Sequence, residues 1–237
     1  MIHIVPILRD NYCYILEGED RHCIILDPGQ VTPVESYIIQ HGLKPVMILN
    51  THHHADHIAG NAELKAKYNI PVIGPKAEQS KIPGMDKGLS EADTVEHSGI
   101  TLRIIETPGH TKGHIVFHWG DKGALFSGDT LFSMGCGRLL EGSADEMFES
   151  LQKLKSLPPE TEIYCGHEYT KSNGDFAQTI EPQNTDIQTR LKDVVKLQTN
   201  NRPTIPVTLG TELKTNPFLR ASDVSAFAAI RKQKDNF

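Results

Sequence analysis

Apolar residues in the first half of the chain come in short runs closed by turn residues. IHIVPIL, YCYILEG and HCIILDPG read as three successive strands, with Asp-Pro-Gly as the turn after the third. TPVESYIIQHG has helical spacing, with Thr32 as cap and Gly42 as stop. PVMILN reads as a buried strand, AGNAELKAKYN as a helix ending at Asn69, and PVIG as another short strand. Residues 75–93 are polar and rich in Gly, Pro and Lys, which predicts mostly irregular chain. TLRIIETPG, GHIVFHWG and GALFSGD are three further strand patterns. SADEMFESLQKLKSL follows as a helix whose Ser143 stands three positions before Glu146, the spacing of a capping box. TEIYCG is a last strand.

After His167 the period-two signal nearly vanishes. DFAQTIEP, NTDIQTRLKDVVKLQTNN and ASDVSAFAAIRKQKDNF read as helices. The pattern predicts an α/β domain over residues 1–167 and a smaller, mostly helical region over 168–237. No internal repeat, low-complexity tract or long linker interrupts it.

Composition narrows the class. Hydrophobic residues at 38% and charged residues at 23% support a packed core. The net charge of -6 disfavours nucleic acid as a partner. Cys13, Cys23, Cys136 and Cys165 form no C-x-x-C pair and read as buried free thiols, which points to a reducing compartment. MIHIVPILRDNY lacks the basic-then-apolar order of a signal peptide, and no apolar run approaches the ~20 residues of a membrane span. A cytoplasmic monomer that acts on a small molecule is expected. Charge is uneven: residues 214–237 hold five basic groups against two acids, so a basic end sits on an acidic body. Such an end suits a small anionic ligand or, equally, an ordinary solvated helix face.

The 12 histidines are not scattered evenly. ILNTHHHADHIAG crowds His52, His54, Asp56 and His57 behind an apolar run. In extended chain alternate side chains share a face, so His52, His54 and Asp56 can converge while His53 points away. His57 breaks the alternation as the chain turns. Three more metal-capable residues stand just past strands and directly after a glycine: His110, Asp129 and His167. Five imidazoles and two carboxylates exceed what one tetrahedral zinc with an open position needs, and suit two ions. Two ions ~3.5–4 Å apart can share a water and bring its pKa toward ~7. Nitrogen and oxygen donors without thiolate suit zinc and tolerate iron or manganese.

The run H-x-H-x-D-H, TPGHT, SGDT and GH resembles the metallo-β-lactamase superfamily. That resemblance implies a four-layer αβ/βα sandwich. It also implies that His52, His54 and His110 hold one metal, that Asp56, His57 and His167 hold the other, and that Asp129 bridges. Asp56 and Asp129 then act with a metal-bridging hydroxide. GCGRLLEGSADEM, GHEYT and RKQKDNF extend the resemblance over essentially the whole chain, to the glyoxalase II, or hydroxyacylglutathione hydrolase, family. The family implies cleavage of S-D-lactoylglutathione to D-lactate and glutathione, in methylglyoxal detoxification. It implies glutathione contacts from Arg138, Tyr169, Arg231 and Lys234. Leu140 stands where some members carry an aromatic residue, which bears on affinity rather than chemistry.

Other readings differ in what they require. A lactonase or phosphodiesterase would share the metal motifs, and a nuclease would be expected to add a basic surface. A single-iron dioxygenase would leave Asp56 and His57 idle. A non-enzymatic descendant would have lost ligands, and all seven are present. Cys136 is unnecessary as a nucleophile if metals activate water. Asp27 of LDPG is either a turn former or a residue that orients a ligand. His114 and His118 alternate on a strand and suit packing.

Overall fold

A computed structural model of the chain describes residues 1–91 and 93–237. It resolves into two units: Met1–Glu106 with Gly113–Lys122, and Thr107–Lys112 with Gly123–Phe237.

In the first unit the opening apolar runs form β1 (Ile2–Ile7), β2 (Asn11–Glu17) and β3 (His22–Leu26), which pair antiparallel in order. Helix α1 (Val31–His41) then crosses to β4 (Lys44–Leu49), parallel to β3. The one-turn helix α2 (Ala55–Ile58) and α3 (Asn61–Tyr68) lead to β5 (Val72–Pro75), parallel to β4. A sixth strand, β6 (Lys87–Leu89), closes this sheet beside β5. Strands β7 (Thr94–His97), β8 (Ile100–Glu106) and β9 (Ile115–Trp119) pair antiparallel.

The core under the six-stranded sheet joins Ile15, Cys23, Ile25, Ile48 and Val72 to Val34 and Ile38 of α1 and Leu64 of α3. Each such aliphatic side chain stabilises the fold by about 1.5–3 kcal/mol relative to an exposed one. All four cysteines are buried free thiols, as expected.

Two expectations change here. Thr32 is not the cap of α1. Gln30 takes the N-cap position, and its side chain accepts from Leu8 N–H instead of capping. Pro33 sits in the first turn, where its missing N–H costs no intrahelical bond. The segment 75–93 is not wholly irregular. Lys87–Leu89 has no apolar alternation and becomes a strand because β5 offers it an open edge. Ala92, in the same predicted stretch, lies outside the described residues.

In the second unit β10 (Ala124–Gly128) runs toward a short hairpin, β11 (Leu131–Phe132) and β12 (Gly135–Cys136). Met134 turns that hairpin at φ 54°. Helix α4 (Ala144–Lys155) starts at Ser143 with the reciprocal capping box in place. Strand β13 (Glu162–Cys165) returns parallel to β10. The rest is helical: α5 (Thr170–Ile180), α6 (Thr185–Thr199), α7 (Leu209–Thr215), α8 (Pro217–Arg220) and α9 (Val224–Asp235). A two-residue strand, β14 (Val207–Thr208), precedes α7 and pairs with β13. Helix α5 begins before the DFAQTIEP pattern and contains Gly174. A Cβ there would press on Leu191 and Met134, so the glycine lets α5 and α6 pack closely. Among the described residues, no helix is long and apolar enough to cross a membrane.

Candidate metal centre

In the first unit, β4 ends at Leu49 and the next residues pass directly into burial: Asn50, Thr51 and His52 are each 0% exposed. The chain then turns at His54 into α2, which carries Asp56 and His57. The break in alternation at His57 is therefore a helical turn. His52 lies with its ring 4.6 Å from that of His54 and 4.2 Å from that of His57. His57 Nε2 is 3.5 Å from Asp56 Oδ2, and Asn11 donates to the same oxygen at 2.8 Å. Gly29 backs this turn: a Cβ there would collide with the Asp56 carbonyl oxygen.

Asp27 organises the pair of buried imidazoles. Its Oδ1 accepts from Thr51 N at 2.8 Å, and its Oδ2 accepts from Thr51 Oγ1 at 2.7 Å and His57 Nδ1 at 3.1 Å. Thr51 Oγ1, having given its proton to Asp27, accepts from His52 Nδ1 at 3.0 Å. One buried carboxylate thus sets both tautomers. It leaves the Nε2 lone pair of His52 facing His54 Nδ1 at 3.0 Å, and that of His57 facing Asp56. Of the two sequence readings of Asp27, the orienting one is what its bonds describe. His53 points to Glu78, its Nδ1 2.8 Å from Oε2. His114 is fully buried and stacks on His52 at 4.9 Å.

In the second unit the parallel pairing of β10 and β13 sets Asp129 and His167 side by side, since each follows its strand by a glycine. His167 Nε2 is 3.3 Å from Asp129 Oδ2. His110 Nε2 reaches the same oxygen at 3.5 Å, and its Nδ1 donates to the Arg138 carbonyl at 2.9 Å. Gly137 is needed where the chain folds back, because a Cβ would strike the Asp129 carbonyl oxygen.

These separations fit a metal. Two donors at ~2.0–2.1 Å from one tetrahedral ion stand about 3.3 Å apart. His52, His57 and His110 each turn an Nε2 lone pair toward another imidazole or a carboxylate, an arrangement that a cation stabilises.

The same unit holds a cavity of about 530 Å³ lined by His110, Asp129, Phe132, Arg138, Tyr169 and Lys234, among others. The substrate residues named from the sequence thus meet two metal-capable ones in one space. Tyr169 stacks on His167 at 4.6 Å with rings 8° from parallel, and Phe132 meets both edge-on. Arg231 also lines the cavity but is 4% exposed. Its fork holds Asp235 Oδ1 at 2.8 and 3.0 Å and the Cys136 carbonyl at 2.9 Å. Lys234 donates to the Ser172 carbonyl at 3.1 Å and rests over Phe176 and Phe237. Leu140 stands 59% exposed at the cavity. Cys136 lines it too, and burial pushes its thiol up to about 11 against the opposing Arg231, so it stays protonated.

Sequence reading missed Asn11, Thr51 and Phe132. Each sits one or two positions from a recognised element, and only its partner reveals it.

Two family models cover the chain: the metallo-β-lactamase superfamily over residues 7–167, and the hydroxyacylglutathione hydrolase C-terminus over 168–237. A curated relative in Aliivibrio salmonicida, named hydroxyacylglutathione hydrolase, is 44% identical over 254 residues, 100% of this chain and 99% of its own. Among solved structures, ETHE1 from Myxococcus xanthus matches with TM-score 0.76 at 22% identity, covering 98% of this chain and 90% of that one, which shows the fold alone. TTHA1623, solved in a di-iron-bound form, matches with TM-score 0.65 at 26% identity over 92% of this chain and 99% of that one. The metallo-β-lactamase fold expected from the motifs is therefore present, and the chain belongs to the hydroxyacylglutathione hydrolase family of the metallo-β-lactamase superfamily.

Proposed function

We propose that this chain is a hydroxyacylglutathione hydrolase that cleaves S-D-lactoylglutathione and related 2-hydroxyacyl thioesters to the hydroxy acid and glutathione, in methylglyoxal detoxification. The observation that carries this is the cavity that brings His110 and Asp129 together with Arg138, Tyr169 and Lys234. Residues 1–167 would be the catalytic domain and 168–237 the substrate-binding region.

Two divalent ions are proposed, held by His52, His54, Asp56, His57, His110, Asp129 and His167. Zinc suits the donors best, and iron or manganese also fits. Bound there, the ions would supply an activated water and polarise the thioester carbonyl. The chain's own residues do the remainder. Arg138 and Lys234 offer cations to the carboxylates of glutathione, and Arg231 adds charge from behind the wall. Tyr169, stacked on His167, presents its ring to the substrate beside a ligand. Anchoring the glutathione portion holds the thioester in one orientation. A thiolate is a good leaving group, so its departure needs no protein acid. A cytoplasmic location is proposed on the four free cysteines, and a monomer is proposed with it.

The test is hydrolysis of S-D-lactoylglutathione by purified protein, with metal content measured on the same sample. Turnover at about two metals per chain is expected. Two bound metals without turnover would discard the thioester assignment.

Lys234 gives a pH signature. Burial, helped by the neighbouring Arg231 and Arg138 and opposed by Asp175, lowers its ammonium to about 8. The cation is therefore present below pH 8 and lost above it. KM should rise as pH passes 8, with kcat little changed. Lys234→Met should show a KM about tenfold higher at pH 7 and no such rise. A wild-type KM that is flat across pH 7–9 would remove Lys234 from substrate binding.

A further inference from the structure

The hairpin β11–β12 stands between Asp129 and Arg138, and its Phe132 and Cys136 line the cavity. Its turn is strained, with Met134 in the left-handed region. Its ladder is only two residue pairs long, Leu131 with Cys136 and Phe132 with Gly135, and side chains from the helices around it supply the further bonds that fix the hairpin. Glu212 of α7, fully buried, accepts from Ser133 Oγ at 3.0 Å and from Met134 N at 2.7 Å. Asn216, also fully buried, donates to the carbonyls of Phe132 at 3.1 Å and Gly135 at 2.9 Å, and to Glu212 Oε2 at 2.9 Å. Asn173 donates to the Ser133 carbonyl at 3.1 Å, and Arg231 to that of Cys136.

We propose that Glu212 is a positioning residue: its buried carboxylate holds the turn of the β11–β12 hairpin and thereby the cavity wall that carries Phe132, Cys136 and Arg138. The inference rests on the thioesterase reading for its kinetic consequence and on geometry alone for the clamp. All three partners of Glu212 are donors: a hydroxyl, a backbone N–H and an amide N–H. The ionised form accepts from all of them. The protonated acid still accepts from Met134 N–H and Asn216 through Oε2 and turns its O–H on Ser133 Oγ, a hydroxyl that can accept it, so the clamp needs the two oxygens of Glu212 rather than their charge. Burial is the largest influence on this group and pushes it up to about 7, against the bonds from Asn216, Met134 and Ser133. The charged and titratable groups facing it are Arg190 of α6, which opposes the rise, and the Cys165 thiol of β13, which burial keeps protonated. The clamp therefore persists on both sides of pH 7.

The test compares wild type with Glu212→Met and Glu212→Gln on S-D-lactoylglutathione at pH 8. Methionine removes both acceptor oxygens, and that variant's KM should be on the order of fivefold higher, with kcat changed less. Glutamine keeps a carbonyl for Met134 N–H and Asn216 and offers its NH₂ to Ser133 Oγ, so it should restore a KM close to that of wild type. Exchange of the Met134 amide proton, read by NMR without substrate, should be faster in Glu212→Met and close to wild type in Glu212→Gln. Ser133→Ala, which removes only the hydroxyl partner, covers the case in which Glu212→Met does not fold. It should raise KM in the same direction by less. A KM unchanged by Glu212→Met, no rescue by Glu212→Gln, or unchanged Met134 exchange would overturn the proposal. Wild type without turnover but with Met134 exchange accelerated by Glu212→Met would instead sink the thioesterase reading and leave the clamp standing.

Discussion

Asp129→Ala is expected to abolish measurable thioester hydrolysis and to lower the metal content of the purified protein. Asp129 Oδ2 stands 3.3 Å from His167 Nε2 and 3.5 Å from His110 Nε2, and the side chain is 9% exposed. It is the one carboxylate that faces both imidazoles in the second unit among the described residues. Removing it leaves two nitrogen donors without the anion that balances a cation between them. The loss in kcat/KM should exceed the ~100-fold that removal of an outer partner of a metal ligand costs. Asp129→Asn should fall between, since it keeps an oxygen donor and loses the charge. Because Asp129 follows β10 rather than lying within it, the far-ultraviolet circular dichroism of the variant should match that of wild type. Full activity of Asp129→Ala with both metals bound would refute the proposed ligand set.

Asp27→Asn should cost metal affinity without removing any ligand. Asp27 is 3% exposed and accepts three hydrogen bonds, which determine the protonation of His57 directly and of His52 through Thr51. An asparagine can accept from Thr51 N–H only by turning its NH₂ toward Thr51 Oγ1 and His57 Nδ1. His57 must then accept at Nδ1 and carry its proton on Nε2, the nitrogen that faces Asp56. Protonated there, it cannot bind a metal. The expected loss is about 10–100-fold in metal affinity, read by competition with a chelator. The readout is independent of turnover. Asp27→Ala should add a fold-stability loss of about 1–3 kcal/mol, because Thr51 N–H is left buried without an acceptor. Unchanged metal affinity in Asp27→Asn would mean that tautomer control is not what this carboxylate does.

How much of this was legible beforehand varied with the kind of signal. The strands from β1 to β5 and from β8 to β10 were plain in the sequence, because each is an apolar run with its own turn residue. The capping box at Ser143 was also plain, since cap and partner are three residues apart. β6, β11, β12 and β14 were not, because strands of two or three residues have no period to detect. They exist through pairing or through side chains that clamp them. The metal motifs stood out because imidazole is rare and its placement after strands repeats. The polar residues that steer them, Asp27, Thr51 and Asn11, are common residue types whose roles depend on distant partners.

The sequence by itself determined which residues have donor chemistry, where most of the helices and strands lie, and which family the motifs match. These follow from residue type and local spacing, which folding does not change. Tertiary structure decided which nitrogen of His52, His57 and His110 carries the proton and that Arg231 spends its donors on Asp235 and Cys136. It also decided that Glu212, unremarked in the chain, is buried against a hairpin at the cavity. Those are questions of who meets whom across 30, 79 or 95 residues of chain, and only packing answers them.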